Sequence, residues 1–278
     1  MSLPNPKAIV IRDINELPEM RQLEVLQKEI WGVDDLDVYP ALALRPQVAV
    51  GAILVGAFSE TQMVGFVFGF PGVEHGETIL HSDMLGVMPE FRRYGLGYLL
   101  KLAQRERALQ TGYKRITWTF DPLQLRNANL NFSRLGVTST RYLVNFYGET
   151  SSFLHSSGTD RLWVDWMIDS ERVRDRVEKE LIKKPSPQEI ATRQALVKVG
   201  EGDQPVSMPV EELADRLVIE IPKDINEIVK RADGSAQRWR EATRGAFTRA
   251  LDAGYMVEEF VPVEREGHTV GCYLLSKR

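Results

Sequence analysis

Apolar and polar positions along the chain assign most of its elements. Residues 8–14 are short and β-branched, predicting a strand, and Asn15 can cap a helix that carries Glu19, Leu23, Leu26 and Ile30 at partly helical spacing. A loop through Gly32-Val33-Asp34-Asp35 leads to an Ala- and Leu-rich run that the expected order of elements passes over. Residues 52–58 and 63–70 are near-continuous apolar runs separated by Ser59-Glu60-Thr61-Gln62, which reads as a hairpin turn. A further strand is expected over 78–87, ending at Pro89. Residues 95–110 read as a helix with an apolar stripe of Leu96, Leu99, Leu100 and Ala103. Next come a strand over 116–120, stopped by Asp121-Pro122, and a helix over 123–135, with Gly136 as its left-handed cap. Strands near 137–146 and 161–168 come after it, joined by a Ser- and Gly-rich loop, giving the order β-α-β-β-β-α-β-α-β-β.

After Asp169 the pattern changes. Residues 171–184 are densely charged, and Pro185-Ser186-Pro187 and Gly200-Glu201-Gly202-Asp203 punctuate the next stretch, so 170–214 reads as a charged helical connection with loops. Residues 215–278 read as strand (216–221), helix (236–253), strand (256–263) and strand (269–275). This strand–helix–hairpin order repeats that of 116–168, including a proline corner after the strand and a glycine after the helix, and suggests a degenerate half-repeat. Three parts are therefore expected: 1–169, 170–214 and 215–278.

Composition narrows the function. With 278 residues, 43% hydrophobic and 27% charged, the chain is an ordinary globular sequence rather than a disordered or disulfide-rich one. A net charge of -4 gives no global case for nucleic acid. The single cysteine, Cys272, excludes an intrachain disulfide or a cysteine metal cluster and fits a reducing cytoplasm. The longest apolar run, 48–58, contains Gly51 and Gly56 and is about half the ~20 residues that cross a bilayer. The first residues lack the pattern of a signal peptide. A cytoplasmic protein without membrane or nucleic-acid partners is expected, with a homodimer as one option, since the oligomeric state is not readable.

The chemistry is concentrated in Leu85-Gly86-Val87-Met88-Pro89-Glu90-Phe91-Arg92-Arg93-Tyr94-Gly95-Leu96-Gly97-Tyr98. A strand runs into a glycine turn that opens a helix. The first backbone N–H groups of a helix have no intrahelical acceptor, and the helix dipole favours an anion there. Gly95 and Gly97 leave the approach unobstructed, and Arg92 and Arg93 add charge, so the segment reads as a pyrophosphate cradle. It has no Gly-Lys-Ser/Thr ending, and Leu100 stands where a dinucleotide fingerprint needs its third glycine. What matches is R-x-x-G-x-G at Arg92, Gly95 and Gly97. With the preceding strand and Pro89-Glu90, residues 8–169 resemble the GNAT superfamily of acyl-CoA-dependent N-acyltransferases.

The resemblance implies an α/β (α+β) fold: a mixed, mostly antiparallel sheet with flanking helices, here with a smaller C-terminal strand–helix–hairpin domain. It implies acetyl-CoA as co-substrate, or another acyl-CoA such as succinyl-CoA, and no metal. Leu85, Gly86 and Val87 would lie along the pantetheine arm, with Leu85 and Val87 offering backbone hydrogen bonds. Arg92, Arg93, Tyr94, Gly95, Leu96, Gly97 and Tyr98 would hold the pyrophosphate. The thioester would lie where strand 78–87 splays from strand 115–120. The sequence departs from the family in two places. Phe132 stands where many members carry a tyrosine that protonates the leaving thiolate, and the usual cofactor-contacting Asn position falls at Leu125, leaving Asn127 as a substitute.

Acyl transfer to nitrogen needs a neutral amine. Deprotonating a lysine-like amine at pH 7 costs roughly 4.6 kcal/mol, an α-amine about 1, and a positioned base contributes about 10²–10⁴-fold. Asp83 and His81 are the candidate bases, since alternation places both on the face of Leu85 and Val87. His75 and Glu77 read as a solvated loop. Tyr147 or Tyr142, on the strand after the helix over 123–135, could replace the missing tyrosine. Arg238, Arg240 and Arg244 share one helix and could bind a carboxylate. The expected function is acetyl transfer by direct attack of the amine of a small molecule or amino acid. Protein N-acetylation and a catalytically inactive acyl-CoA-binding sensor are the alternatives.

Overall fold

The computed structural model describes residues 9–148, 158–182, 184–265 and 267–277. These pack as two compact units: 9–118 with 167–169, and 119–148 with 158–166 and 170–277.

In the first unit the elements are β1 (Ile9–Asp13), α1 (Leu17–Trp31), α2 (Ala41–Ala49), β2 (Ile53–Ser59), β3 (Gln62–Glu74), β4 (Glu77–Val87), α3 (Leu96–Gln110) and β5 (Arg115–Phe120), whose last two residues fall to the second unit. Strands β1 to β4 are antiparallel neighbours, and β5 runs parallel to β4 through Leu80–Ile116 and His81–Thr117. Helix α1 starts later than a cap at Asn15 would place it, with Glu16 at the cap and Pro18 in the first turn. It stops at Gly32, whose φ of 63° lets its N–H return to the Lys28 carbonyl. Helix α2 fills the run that the expected order passed over. Its start is fixed by tertiary contacts, since the Glu24 carboxylate accepts from Ala41 N–H and the Gln27 amide bonds the Tyr39 backbone at both N–H and carbonyl. Met20, Leu23, Leu26 and Ile30 of α1 and Leu44 of α2 pack with Phe66 and Phe68 on one face of the sheet. Helix α3 packs against strands β2, β3 and β4 of this sheet.

In the second unit, α4 (Leu125–Ala128) continues as a π-helix, Asn129–Leu135, which ends at Gly136 with φ 76°. Then come β6 (Thr138–Leu143), β7 (Arg161–Met167), α5 (Glu171–Val177), α6 (Pro187–Ala191), β8 (Gln194–Val199), β9 (Pro205–Ser207), β10 (Arg216–Ile221), α7 (Ile225–Lys230), α8 (Ser235–Asp252), β11 (Tyr255–Arg265) and β12 (His268–Lys277). Its strands lie in the order β7-β6-β11-β12-β10-β8-β9. Phe132, Phe247 and Phe260 surround Tyr273, with ring centroids 5.7, 5.1 and 4.7 Å from it.

Two differences from the sequence reading stand out. The segment 170–214 is not only a connection: it supplies β8, parallel to β10, and β9. Residues 215–278 also pack together with 119–148 and 158–166, because the hairpin β11–β12 joins the hairpin β6–β7 through β6 and β11. Among the described residues, no helix is long and apolar enough to cross a membrane.

Candidate functional site

The glycine segment takes the form that its local chemistry demands. After β4, Pro89–Tyr94 makes a 3₁₀ turn, and Gly95, at φ 71°, starts α3 from the left-handed region. Only glycine enters that region without a Cβ penalty. A Cβ built on Gly95 would meet no protein atom within 4 Å, so the space before the loop is open. Leu96 and Gly97 are the first helical residues, whose N–H groups face outward along the dipole, whereas the Tyr98 N–H already donates to the Gly95 carbonyl at 3.0 Å. Arg92 donates from Nε to the Val87 carbonyl at 3.2 Å, and Arg93 donates to the Tyr94 hydroxyl at 3.1 Å with its guanidinium over that ring. Both arginines are exposed beside the turn. A glycine turn, outward N–H groups and two cations fit a pyrophosphate.

The backbone of β4 continues this surface. Met88 N–H donates to the Val64 carbonyl, which makes Val64 and Met88 a hydrogen-bonded pair in the register Gly65–Val87, Phe66–Gly86, Val67–Leu85. Bonded and non-bonded pairs alternate in an antiparallel ladder. The N–H and C=O groups of Leu85 and Val87 therefore point away from β3. On that side the pairing of β4 with β5 runs through Leu80 and His81, short of both residues. The Val87 carbonyl already accepts from Arg92, so the Val87 N–H and the backbone groups of Leu85 are what an added extended chain would meet.

The two candidate bases do not share a face. Phe68 pairs with Met84 and Phe70 with His81, so β4 spends two residues, Ser82 and Asp83, opposite Gly69. This bulge shifts the alternation by one. His81 falls on the face of Met84, its ring 5.5 Å from that of Phe70 and its Nδ1 sharing a hydrogen bond with the Thr117 hydroxyl at 2.9 Å. Leu85 and Val87 are on the other face. Asp83 is exposed, yet the protein around it removes enough water to raise its carboxyl above the ordinary range. His75 and Glu77 lie at the β3–β4 turn, where Arg115 reaches Glu74 at 2.9 Å and Glu77 at 3.8 Å.

The remaining candidates belong to the second unit. Asn127 is exposed on α4. Tyr147 lies on a turn rather than a strand, because β6 ends at Leu143 and Asn145 takes φ 48°. Its hydroxyl shares a hydrogen bond with Thr119 at 3.0 Å, and the Arg161 guanidinium lies 5.1 Å from its ring centre. Tyr142 donates to Asp160 at 2.7 Å and stacks on Phe247; burial, then the Asp160 charge, raise its pKa far above the phenol range. Phe132 is fully buried between Phe120 and Tyr273, so no proton donor stands at that position.

Arg240 and Arg244 bind carboxylates of their own chain. Arg240 is fully buried and bidentate to Asp121 at 2.7 and 3.0 Å; Arg244 is bidentate to Asp160 at 2.8 and 2.9 Å. Burial pushes the Asp160 carboxyl up, but bonds from Arg244, Asn145 N–H and Tyr142 outweigh it and hold the carboxyl below its ordinary value. Arg238 donates instead to Gln204, Ser235 and the Asp233 carbonyl. Sequence reasoning gave Asp121 and Asp160 no such role, since their arginines lie 119 and 84 residues away.

Comparison with known proteins bears on the first unit above all. A search of curated proteins gave no match. Among solved structures, an aminoglycoside 6'-acetyltransferase type Ii is 20% identical, with 58% of this chain and 99% of that one covered and a TM-score of 0.46. The ribosomal-protein-S18-alanine N-acetyltransferase of Escherichia coli is 14% identical, with 58% and 95% covered and a TM-score of 0.46. An acetyltransferase of the GNAT family from Streptococcus pneumoniae is 16% identical, with 56% and 97% covered and a TM-score of 0.46. Residues 17–136 match the family model described as "Acetyltransferase (GNAT) family", a span that holds the open edge of β4, the glycine turn and α3. The chain thus carries, over residues 17–136, a domain of the GNAT acetyltransferase family.

Proposed function

We propose that this chain is an acyl-CoA-dependent N-acyltransferase that moves an acetyl group from acetyl-CoA to the amine of a small molecule or amino acid by direct attack. The observation that carries the reading is the continuity of the open β4 edge with the Gly95 turn. Coenzyme A has a pyrophosphate and an extended arm with two amide groups, the two features these surfaces complement. The outward N–H groups at Gly95, Leu96 and Gly97, with Arg92 and Arg93, would hold the pyrophosphate; the backbone of Leu85 and Val87 would pair with the arm.

When bound, the donor supplies an activated acyl group. The chain supplies a carboxylate to take the proton of the attacking amine, and Asp83, on the face of Leu85 and Val87 and made more basic by the loss of water around it, is the proposed base. His81 is held by Thr117 and is the weaker candidate. Tyr147, fixed by Thr119, is the hydroxyl available to protonate a leaving thiolate in the absence of a donor at Phe132. Aminoglycosides and a ribosomal-protein alanine, named for the similar structures above, are starting points for an acceptor screen. A succinyl donor and a cytoplasmic setting belong to the same reading.

Thermal unfolding with coenzyme A, acetyl-CoA, succinyl-CoA and ADP tests it. A ligand at 100 times its Kd stabilises by about 2.7 kcal/mol, which for this size is roughly 5–10 °C in Tm. A shift with the CoA species well beyond that with ADP supports the donor site, and thiol release on an amine panel then supports transfer. Binding without turnover on any amine leaves a catalytically inactive acyl-CoA-binding protein, the reading that buried Phe132 favours. No shift with any CoA species overturns both.

A further inference from the structure

Helix α3 buries a lysine that lies outside the apolar stripe read from its sequence. Leu99, expected in the apolar stripe, is exposed, while Lys101 is 2% exposed and Gln104 is fully buried. The Lys101 ammonium donates to the Ser82 hydroxyl at 2.6 Å and to the Gln104 amide oxygen at 3.3 Å, and lies 3.7 Å from the centre of the Trp118 ring. None of these partners is a carboxylate. Burial lowers its pKa well below the lysine range. A methionine would fill the same volume without the desolvation cost of an amine.

The position of the two strand contacts gives this cost a purpose. His81 and Thr117 form the outermost paired position of β4 and β5 toward the glycine turn. Ser82 is the next residue on β4, and Trp118 the next on β5. Lys101 thus touches both strands at the first step beyond their pairing, where the bulge at Ser82–Asp83 begins. Gly69 keeps the arrangement in place from the other side. A Cβ there would come within 2.8 Å of Gln104 Nε2 and 2.9 Å of the His81 carbonyl.

We propose that Lys101 is a positioning residue for the acyl donor: by tying Ser82 to the Trp118 ring it sets the width of the gap between β4 and β5 that the pantetheine arm enters. This rests on the donor-binding reading above. The pyrophosphate cradle lies one turn earlier on α3 and does not use Lys101, so arm and cradle can be separated by experiment.

The test is calorimetric titration of wild type, Lys101→Met, Ser82→Ala and the double variant with coenzyme A and with ADP, which lacks the arm. We expect Lys101→Met to fold and to bind coenzyme A about tenfold or more weakly, as small misplacements of a binding group can cost, while ADP affinity stays within about twofold. Ser82→Ala should lose part of that affinity, and the double variant should lose no more than Lys101→Met alone, since both break one contact. A folded Lys101→Met that binds coenzyme A as wild type does overturns the proposal, as does an equal loss for ADP, which would mean that the lysine merely supports α3. If Lys101→Met does not fold, Ser82→Ala decides: weaker coenzyme A binding at unchanged ADP binding supports the proposal, and unchanged coenzyme A binding overturns it. Wild-type protein that binds no coenzyme A removes the donor reading itself, before any variant is made.

Discussion

Among the described residues each unit shows one parallel strand pair, β4–β5 and β8–β10, and the two end differently. Both pairs lie beside a bulge, at Ser82–Asp83 in β4 and between Ala195 and Val197 in β8, and both lead toward a turn with two glycines. At β8–β10 side chains sew the end shut. The Glu220 carboxylate on β10 accepts from Val199 N–H at 2.8 Å, and Arg265 is bidentate to Glu220 at 2.9 Å while donating to the Val199 carbonyl at 3.3 Å. The chain then turns back into β9. At β4–β5 the backbone of Leu85 and Val87 stays turned to the open side, and the strand leads into the N-terminus of a helix. One plan, closed by an ion pair, completes a sheet; left open beside a buried amine, it leaves strand backbone turned outward.

The harshest way to break the second unit's closed character is to remove a buried charge partner. Arg240→Met leaves Asp121 unpaired, which should cost about 3–5 kcal/mol, read as a Tm fall on the order of 10 °C. The open pair is broken by Gly95→Val. Backbone strain at φ 71° should cost stability only about 1–2 kcal/mol, whereas a branched side chain in the cradle should weaken coenzyme A roughly 10–100-fold, through the several N–H contacts it obstructs. Glu220→Ala should lower stability by about 1–2 kcal/mol by orphaning Val199 N–H, with coenzyme A affinity unchanged in titration; a loss of affinity would mean that the two pairs are not functionally distinct.

Smaller effects sharpen the contrast. The folded-state pKa of Lys101 is depressed, so the stability it contributes is present above the ordinary lysine range and is lost as pH falls toward the lowered value. Urea unfolding at pH 7 and pH 10 should therefore favour Lys101→Met over wild type more at pH 7, with the gap narrowing at pH 10. Cys272 is buried, and burial, together with the Glu220 charge, pushes its thiol up to about 12, leaving almost no thiolate at neutral pH. Cys272→Ala should leave turnover intact; loss of turnover in folded protein would argue against direct transfer.

Legibility tracked the range of the interaction. The glycine turn, the Gly136 cap and the hairpins were readable because each depends on residues a few positions apart. Helix α2 was hidden because its start is set by Glu24 and Gln27 on another helix. Strand β8 was masked by charged neighbours, and its partner β10 lies some twenty residues later. The placement of His81 and Asp83 failed on one extra residue, since a bulge inverts every side chain beyond it. Lys101 could not be found at all: in sequence it is an ordinary helix lysine, and only packing shows that it has no water. Tyr147 was put on a strand rather than a turn, because the turn depends on Asp160, 15 residues beyond Asn145, accepting from its N–H.

The single junction Val257–Ser139 between the two hairpins has a consequence for self-association. A strand with an unpaired side is a template for any other chain with a matching edge. In a chain ending after β7, that side of β6 would be bare. Here β11 occupies it, and the sheet continues to β9, a three-residue strand whose first member is Pro205. A short strand that begins with proline makes a poor template. The C-terminal segment thus does for β6 what a neighbouring subunit would otherwise do, and it ends the sheet on its least adhesive strand.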